Sequence, residues 1–178
     1  MGDRMGTDAP TDVIIETSTL INFLRIGRVD LLAGLASYRF LVTDNIRAEV
    51  RTNYPTEFAN LAAALQAGHV HEVSLNDPAE VAIYADLKRP DVLGDGECSA
   101  IAAAVVRNLP LAMDDGTARK KTAGGYPAVV LLDTVSLMVE AIRAGLLTVG
   151  EADVIKADWH ANHRFKKPKL KSFGDLMP

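Results

Sequence analysis

Val13-Ile14-Ile15-Glu16-Thr17-Ser18-Thr19-Leu20-Ile21 changes its period in the middle. Its first three residues are a short run of β-branched apolar side chains, which reads as a strand buried in a parallel sheet. From Ser18 onward the pattern is helical: Leu20, Ile21 and Leu24, then Leu31, Leu32 and Leu35, recur at helix spacing. Gly27 is expected to break this stretch into two short helices. Glu16 stands at the handover from strand to helix. In an α/β fold the carboxyl ends of the strands share one edge, and ligands bind in the crevice there.

The same handover recurs along the chain. Phe40-Leu41-Val42 reads as a second strand, ending at Thr43-Asp44-Asn45, all good N-cap residues, and a short helix carrying Glu49 follows. Pro55 to Ala67 is Ala- and Leu-rich and helical, stopped by Gly68. Val70 to Leu75 alternates apolar and polar residues, as a partly exposed strand does. Asp77-Pro78-Ala79-Glu80 then opens a helix, with a cap, a proline at the first helical position and a closing capping box. Gly94-Asp95-Gly96-Glu97 precedes a helix in which Ile101, Ala104, Val105 and Asn108 share a face. Leu111-Ala112-Met113 and Ala128 to Leu132 are two further buried strands, separated by a short helix around Ala118 to Thr122. Asp114-Asp115 follows the first of them. Thr134 to Leu147 reads as an amphipathic helix, and Thr148-Val149-Gly150-Glu151 supplies a capping box for a final helix to about His163.

Strands alternating with helices predict one α/β domain, a mostly parallel central sheet flanked by helices on both faces. Right-handed crossovers place the ends of the first, second and fourth strands on one side. The expected organisation is a flexible N-terminus over 1–11, the domain over 12–164 and a basic C-terminal tail over 165–178, without internal repeats or linkers.

Composition agrees. The chain has 178 residues, 48% of them hydrophobic, enough to bury a core. Aromatics are only 6%, which favours helices packed on a sheet over an aromatic-rich sandwich. A formal net charge of −4 argues against general nucleic-acid coating and leaves room for a locally basic groove. Cys98 is the single cysteine, so neither an intramolecular disulfide nor a thiolate zinc cluster is available. Met1 to Thr11 is polar and lacks the apolar core of a signal peptide, and no apolar run approaches bilayer-spanning length. Gly6 stands where a myristoylation signal needs Ser or Thr. A cytoplasmic protein without a membrane partner is the expectation.

Five carboxylates lie at the handovers: Glu16, Glu49, Glu97 and the pair Asp114 and Asp115. Brought together at one sheet edge they repel one another, and a divalent cation offsets that repulsion. Mg²⁺ and Mn²⁺ are hard ions that prefer carboxylate oxygens and water, so a set without histidine or cysteine suits them better than zinc. Such an ion polarises a phosphodiester, orients a water and lowers its pKa.

The chain resembles the PIN-domain ribonucleases, the family that includes VapC-type toxins of toxin–antitoxin pairs. Glu16-Thr17-Ser18-Thr19-Leu20-Ile21 is similar to the family's first-strand motif, an acid, any residue, Ser or Thr, then Leu-Ile. Thr43 to Glu49 resembles its second acidic segment, and Gly94-Asp95-Gly96-Glu97-Cys98-Ser99-Ala100-Ile101 the Gly-Glu opening of its third. Asp114-Asp115 with Arg119, followed by a strand and a helix ending Ala144-Gly145-Leu146-Leu147, resembles its closing segment. The resemblance covers Val13 to Leu147 with the motifs in order.

It implies a divalent-metal-dependent endoribonuclease that leaves 5′-phosphate and 3′-hydroxyl ends. It implies Glu16, Glu97 and Asp114 as ligands of Mg²⁺ or Mn²⁺, and Glu49 and Asp115 as further catalytic acids. Ser18 is implied within the site and Arg119 as a phosphate contact or a partner of a site carboxylate. The implied partners are RNA, a small antitoxin protein and a second copy of the chain, for which the apolar face around Leu20 to Leu35 could serve. One departure stands out: the family's first acid is ordinarily aspartate. The extra methylene of Glu16 shifts the carboxylate by roughly 1 Å, and a misplacement of that size can cost about 10²-fold in rate.

Plainer readings stand beside these. Asp44, Asp77, Asp95 and Asp133 sit where helix N-caps belong, Asp115 can cap the following helix, and Glu97 and Glu49 can be ordinary helix charges. Cys98 reads as a small core residue. Trp159, with His160 and His163, suits base stacking or packing, and the basic stretch from Arg164 to Lys171 suits RNA contact or a solvated tail. A catalytically weak PIN-like scaffold that binds RNA or protein is the alternative function, favoured by Glu16. A receiver-type phosphoaspartate domain is disfavoured by the same residue.

Overall fold

The computed structural model describes residues 9–163, 165, 167 and 169–177. Five strands, β1 (Thr11–Ile15), β2 (Tyr38–Thr43), β3 (His71–Val73), β4 (Leu111–Ala112) and β5 (Leu131–Leu132), form one sheet. All pairings are parallel and the order is β3-β2-β1-β4-β5. The central strand is therefore the first in sequence, with Val13 opposite Phe40 on one side and Ile15 opposite Ala112 on the other. Successive strand residues face opposite sides of a sheet. Val13, Ile14 and Ile15 are all fully buried, so helices cover both faces, as the unbroken apolar run predicts.

The chain goes from β1 to β2 on one side and later crosses to β4 on the other. The strand order thus reverses between β1 and β4, and the crevice at such a switch point opens beyond the strands' carboxyl ends. Helix α1 (Thr17–Arg25) leaves the end of β1, and α2 (Asp30–Ala33) follows the break at Gly27, whose φ of +63° suits glycine. Helix α3 (Asp44–Asn53) starts at the end of β2, capped by the Thr43 hydroxyl, which accepts from Ile46 N at 3.2 Å. After α4 (Pro55–Gln66), α5 (Pro78–Lys88) carries the expected Asp77–Glu80 capping box. Then come α6 (Asp95–Arg107), α7 (Gly116–Gly125), α8 (Thr134–Arg143), α9 (Val149–Asn162) and a 3-10 turn at Phe173–Leu176.

Several expectations need correction. The fifth strand spans two residues rather than Ala128 to Leu132, because Val129 N closes a turn onto Tyr126 O at 3.0 Å. Helix α8 stops at Arg143, since Gly145 enters the left-handed region at φ +71°. Asp44 and Asp95 are the first helical residues, and the caps are Thr43 and Gly94; Asp77 and Asp133 do cap their helices. The apolar face from Leu20 to Leu35 offers nothing to a second copy, because Leu20, Ile21, Leu24, Leu31, Leu32 and Leu35 are all buried in the core.

Trp159 is packing. Its indole is fully buried, donates to Asn22 O at 2.8 Å and stands edge-on to Phe23. Truncating a buried Trp costs about 3–5 kcal/mol. Cys98 is buried in the core. The expectation of a flexible N-terminus falls largely on residues 1–8, outside the described residues, and β1 begins at Thr11. Arg164, Lys166, Pro168 and Pro178 of the tail also lie outside them, while Phe165 packs at a tilt on Trp159 of α9 and Phe173 is fully buried.

Candidate active site at the switch point

Ile15 is held beside Ala112, and Glu16 N continues the ladder by donating to Ala112 O at 2.9 Å. The Glu16 side chain then turns back to cap α1: Oε2 accepts from Ser18 N at 2.9 Å and from the Ser18 hydroxyl. An aspartate would cap in this way by default, and the longer side chain reaches the same donors by folding over. The same Ser18 hydroxyl accepts the backbone N–H of Asp114 at 2.9 Å and of Asp115 at 3.2 Å. One side chain therefore ties the end of β1 to the end of β4. Glu16 is only 2% exposed. Burial pushes its carboxyl up to about 8, with Glu97 and Glu49 adding repulsion against the pull of the Ser18 bonds.

Asp114 is gripped on one oxygen. Its Oδ2 accepts from Thr19 Oγ1 at 3.1 Å, from Asn22 Nδ2 at 3.4 Å and from the Thr134 hydroxyl. Asn22 also donates to Thr134 Oγ1 at 2.9 Å, so α1 and the start of α8 brace the same carboxylate. Among the described residues, Oδ1 meets only a long contact from Thr134 N, 3.3 Å, and the ammonium of Lys167 at 3.7 Å. Burial raises the Asp114 carboxyl above the usual range, against the Thr134 hydrogen bond.

The other acids repeat this division of labour. Glu49 Oε2 accepts from Thr17 Oγ1 at 3.1 Å, and a Cβ on Gly96 would fall 2.0 Å from it, so glycine there leaves the carboxylate its place. Glu97 Oε2 bends back to Gly94 N at 2.8 Å. Asp115 Oδ1 caps α7 through Ala118 N at 2.8 Å. Burial raises both Glu49 and Glu97, and neighbouring carboxylates push the same way: Asp95 on Glu49, and Asp115 and Glu49 on Glu97. Glu49 also lines a cleft of about 330 Å³ with Asn45, Ala48, Thr52, Asn53, Gly94 and Asp95.

Arg119 touches none of these carboxylates among the described residues. Its Nη1 donates to Met113 O and Leu132 O, both at 2.7 Å, clamping the ends of β4 and β5. Ser18 is fully committed, with one donated and two accepted bonds. Sequence reasoning missed Thr19, Asn22 and Thr134. Asn22 left a signal: it is a polar residue between Leu20-Ile21 and Phe23-Leu24, and the structure buries it. Lys167 left none, because tertiary folding of the tail brings it here.

The donor chemistry fits a hard divalent cation: the acids are oxygen donors only, and they repel one another. Each anchors one oxygen on the scaffold, and Glu16, Glu49, Glu97 and Asp115 leave the second without a hydrogen-bond partner among the described residues. The side chains do not form a closed cage: among the described residues, no three His, Cys, Asp or Glu groups converge closely enough to hold an ion.

The family model DUF3368, a PIN domain, matches residues 12–165, which include every acid described above. Among solved structures, the PIN domain endonuclease Utp24 is similar at 15% identity and a TM-score of 0.44, over 72% of this chain and 88% of that one. PAE2754 from Pyrobaculum aerophilum is similar at 15% identity and a TM-score of 0.48, over 78% of this chain and 99% of that one. No curated protein matches the chain. No helix among the described residues is long and apolar enough to cross a membrane.

Proposed function

Because this chain belongs to the PIN-domain family, we propose that it is an endoribonuclease that hydrolyses RNA phosphodiester bonds with Mg²⁺ or Mn²⁺ held by Glu16, Glu97 and Asp114. The observation that carries this reading is the set of carboxylates at the β1–β4 switch point, each anchored by one oxygen, with burial and mutual repulsion raising Glu16, Glu49 and Glu97. A bound divalent cation would polarise the phosphodiester and lower the pKa of the attacking water.

The protein's own part is positioning. Thr19, Asn22 and Thr134 fix Asp114, Ser18 fixes Glu16 against the backbone of Asp114, and Gly94 N orients Glu97. Glu49 and Asp115 flank the ligands as further acids, Glu49 facing the cleft in which an RNA strand would lie. Ser18 and Arg119 serve this reading as scaffold rather than as substrate contacts.

Incubating the full chain with an RNA panel in Mn²⁺, Mg²⁺ or chelator tests the proposal. Cleavage leaving 5′-phosphate and 3′-hydroxyl ends should require the metal and vanish in Asp114→Asn. Cleavage that persists in chelator, or undiminished in Asp114→Asn, would sink it. The absence of a closed cage and the glutamate at position 16 favour one second reading, an RNA- or protein-binding scaffold of weak activity. RNA binding that survives chelation with no cleavage of any substrate would select that reading.

The proposal extends to biology. A cytoplasmic nuclease with a half-buried acidic edge suits the toxin half of a toxin–antitoxin pair, in which a small antitoxin protein sets a cation against the carboxylates and the toxin pairs as a homodimer. Expression should arrest growth, and co-expression of an adjacent small open frame should relieve it; normal growth despite active nuclease would refute the toxin role.

A further inference from the structure

Lys167 reaches the acidic edge from a tail fastened on both sides of it. Before it, the Phe165 ring packs on Trp159 with centroids 5.1 Å apart, and Phe165 N donates to Trp159 O at 3.2 Å. After it, the Lys156 ammonium donates to the carbonyls of Leu170 and Lys171, and Asp153 accepts from Ser172 Oγ at 2.6 Å and Phe173 N at 2.9 Å. Between these anchors Lys167 Nζ lies 3.3 Å from Asp133 Oδ2 and 3.7 Å from Asp114 Oδ1.

The choice of oxygen matters. Asp114 Oδ2 is consumed by Thr19, Asn22 and Thr134, whereas Oδ1 carries, among the described residues, a single long bond from Thr134 N at 3.3 Å, so Oδ1 is the atom with room for a cation, and it is the one that Lys167 faces. The Asp114 side chain is 13% exposed, so this contact is more than a solvated surface pair, which would be worth little. A Lys ammonium is a compact point charge on a flexible stem, suited to stand where an ion would stand and to withdraw from it. The Lys167 side chain is 33% exposed, so solvent screens but does not cancel the repulsion a divalent cation on Oδ1 would exert on the ammonium at this distance. Asp133 Oδ2 gives Lys167 a second carboxylate to keep.

We propose that Lys167 is a built-in counter-cation of the acidic site: it neutralises Asp114 in the metal-free protein and competes with the divalent ion for Asp114 Oδ1, so that metal loading releases the C-terminal tail from that edge. This inference rests on the metal reading above. It assigns to the basic tail a role toward the site's own carboxylates rather than toward RNA.

Competition has a sign that a supporting role lacks. Mn²⁺ binding to the full chain, read from the paramagnetic resonance of the free ion, needs no substrate. Lys167→Met should bind Mn²⁺ about tenfold more tightly than the unmodified chain, the coupling expected of two ligands that oppose each other. Lys167→Arg, which keeps the charge, and Lys169→Met, which removes an equal charge from the exposed tail, should bind as the unmodified chain does. Equal or weaker binding by Lys167→Met, or equal tightening by Lys169→Met, would overturn the inference while leaving the metal reading intact. No Mn²⁺ binding by any variant would overturn the metal reading and the inference with it. In the unmodified chain, amide exchange at Lys169–Lys171 should speed up when Mn²⁺ is added; unchanged exchange at saturating Mn²⁺ counts against release of the tail even if Lys167→Met fails to fold.

Discussion

The hydroxyl of Ser18 accepts the backbone N–H of Asp114 at 2.9 Å while donating to the carboxylate of Glu16, so the spacing between the two acids is set by one serine. Strands β1 and β4 are neighbours, and their last ladder bond ends at Glu16 N. Beyond that point Ser18 continues the connection to the Asp114 backbone, while Thr19 and Asn22 reach its side chain. Ser18→Ala would strip Glu16 of a donor and leave the Asp114 and Asp115 N–H groups without their acceptor. Each partly buried group left unpaired costs about 1–3 kcal/mol. Urea unfolding should show that loss, RNA cleavage should fall further than stability, and Ser18→Thr should recover both. Full activity in Ser18→Ala would show that the acids are held by something else.

The raised carboxyls give the metal-free protein a pH dependence of definite sign. Glu16 titrates near 4.5 when unfolded and at about 8 when folded, so its proton favours the folded state below 4.5, and that contribution disappears as pH rises to about 8. Glu49, Glu97 and Asp114 shift the same way. The carboxyls shifted down, among them Glu80 and Asp153, are ionised in both states over this interval and add no slope. Stability in chelator should therefore fall between pH 5 and pH 8, by about 1.4 kcal/mol per pH unit for each proton released. Mn²⁺ should flatten the fall, and Glu16→Gln should remove much of it. A flat profile in chelator would show that these carboxyls are better solvated than their burial implies.

Arg119 is a clamp, and that role separates stability from substrate binding. Its two 2.7 Å bonds hold the carbonyls of Met113 and Leu132, at the ends of strands only two residues long. Hydrogen bonds to a charged group contribute about 1.5–3 kcal/mol. Arg119→Met should lower the unfolding free energy by about 2 kcal/mol and leave KM for RNA unchanged. A raised KM with unaltered stability would make Arg119 a substrate contact after all.

What the sequence revealed depended on how local its cause was. The period change at Glu16, the break at Gly27 and the capping boxes at Asp77 and Thr148 arise from neighbouring residues, and the structure has each of them. The apolar run from Ala128 to Leu132 misled at its start, where Val129 closes a turn onto Tyr126 before the strand begins. The Leu20–Leu35 face looked unpartnered because the residues that cover it come from distant parts of the chain: Trp159, for one, packs on Phe23. The acids themselves were legible from their place at strand ends. Of the groups that grip them, Asn22 stood out only as a polar residue in an apolar stretch, and Thr19, Thr134 and Lys167 not at all, because ordinary polar residues become positioning groups only through contacts made across 20 to 95 residues.

The glutamate at the head of the site should tolerate its shorter homologue. Glu16 caps α1 by folding its side chain onto Ser18 N, a bond that an aspartate at the N-cap makes without folding. Glu16→Asp should therefore fold with undiminished stability, and RNA cleavage in Mn²⁺ should hold or rise. A clear fall in kcat with stability preserved would show that this site is tuned to the longer acid.

Gly96 offers the sharpest separation of fold from chemistry. It lies in the first turn of α6, where alanine would ordinarily stabilise a helix by about 1 kcal/mol over glycine. Here a Cβ would fall 2.0 Å from Glu49 Oε2 and 3.2 Å from Thr17 Oγ1. The carboxylate is the far end of a flexible side chain and can swing away at small energetic cost, which breaks its bond to Thr17 and moves it within the cleft. Gly96→Ala should thus unfold at the same or higher urea concentration than the unmodified chain while cleaving RNA about 10²-fold more slowly, the penalty of displacing an acid by roughly 1 Å or more. The doubly changed chain Gly96→Ala, Glu49→Ala has no carboxylate left to displace, so adding Gly96→Ala to Glu49→Ala should cost nothing further. A further loss in the double variant would mean that Gly96 serves the site through something other than Glu49.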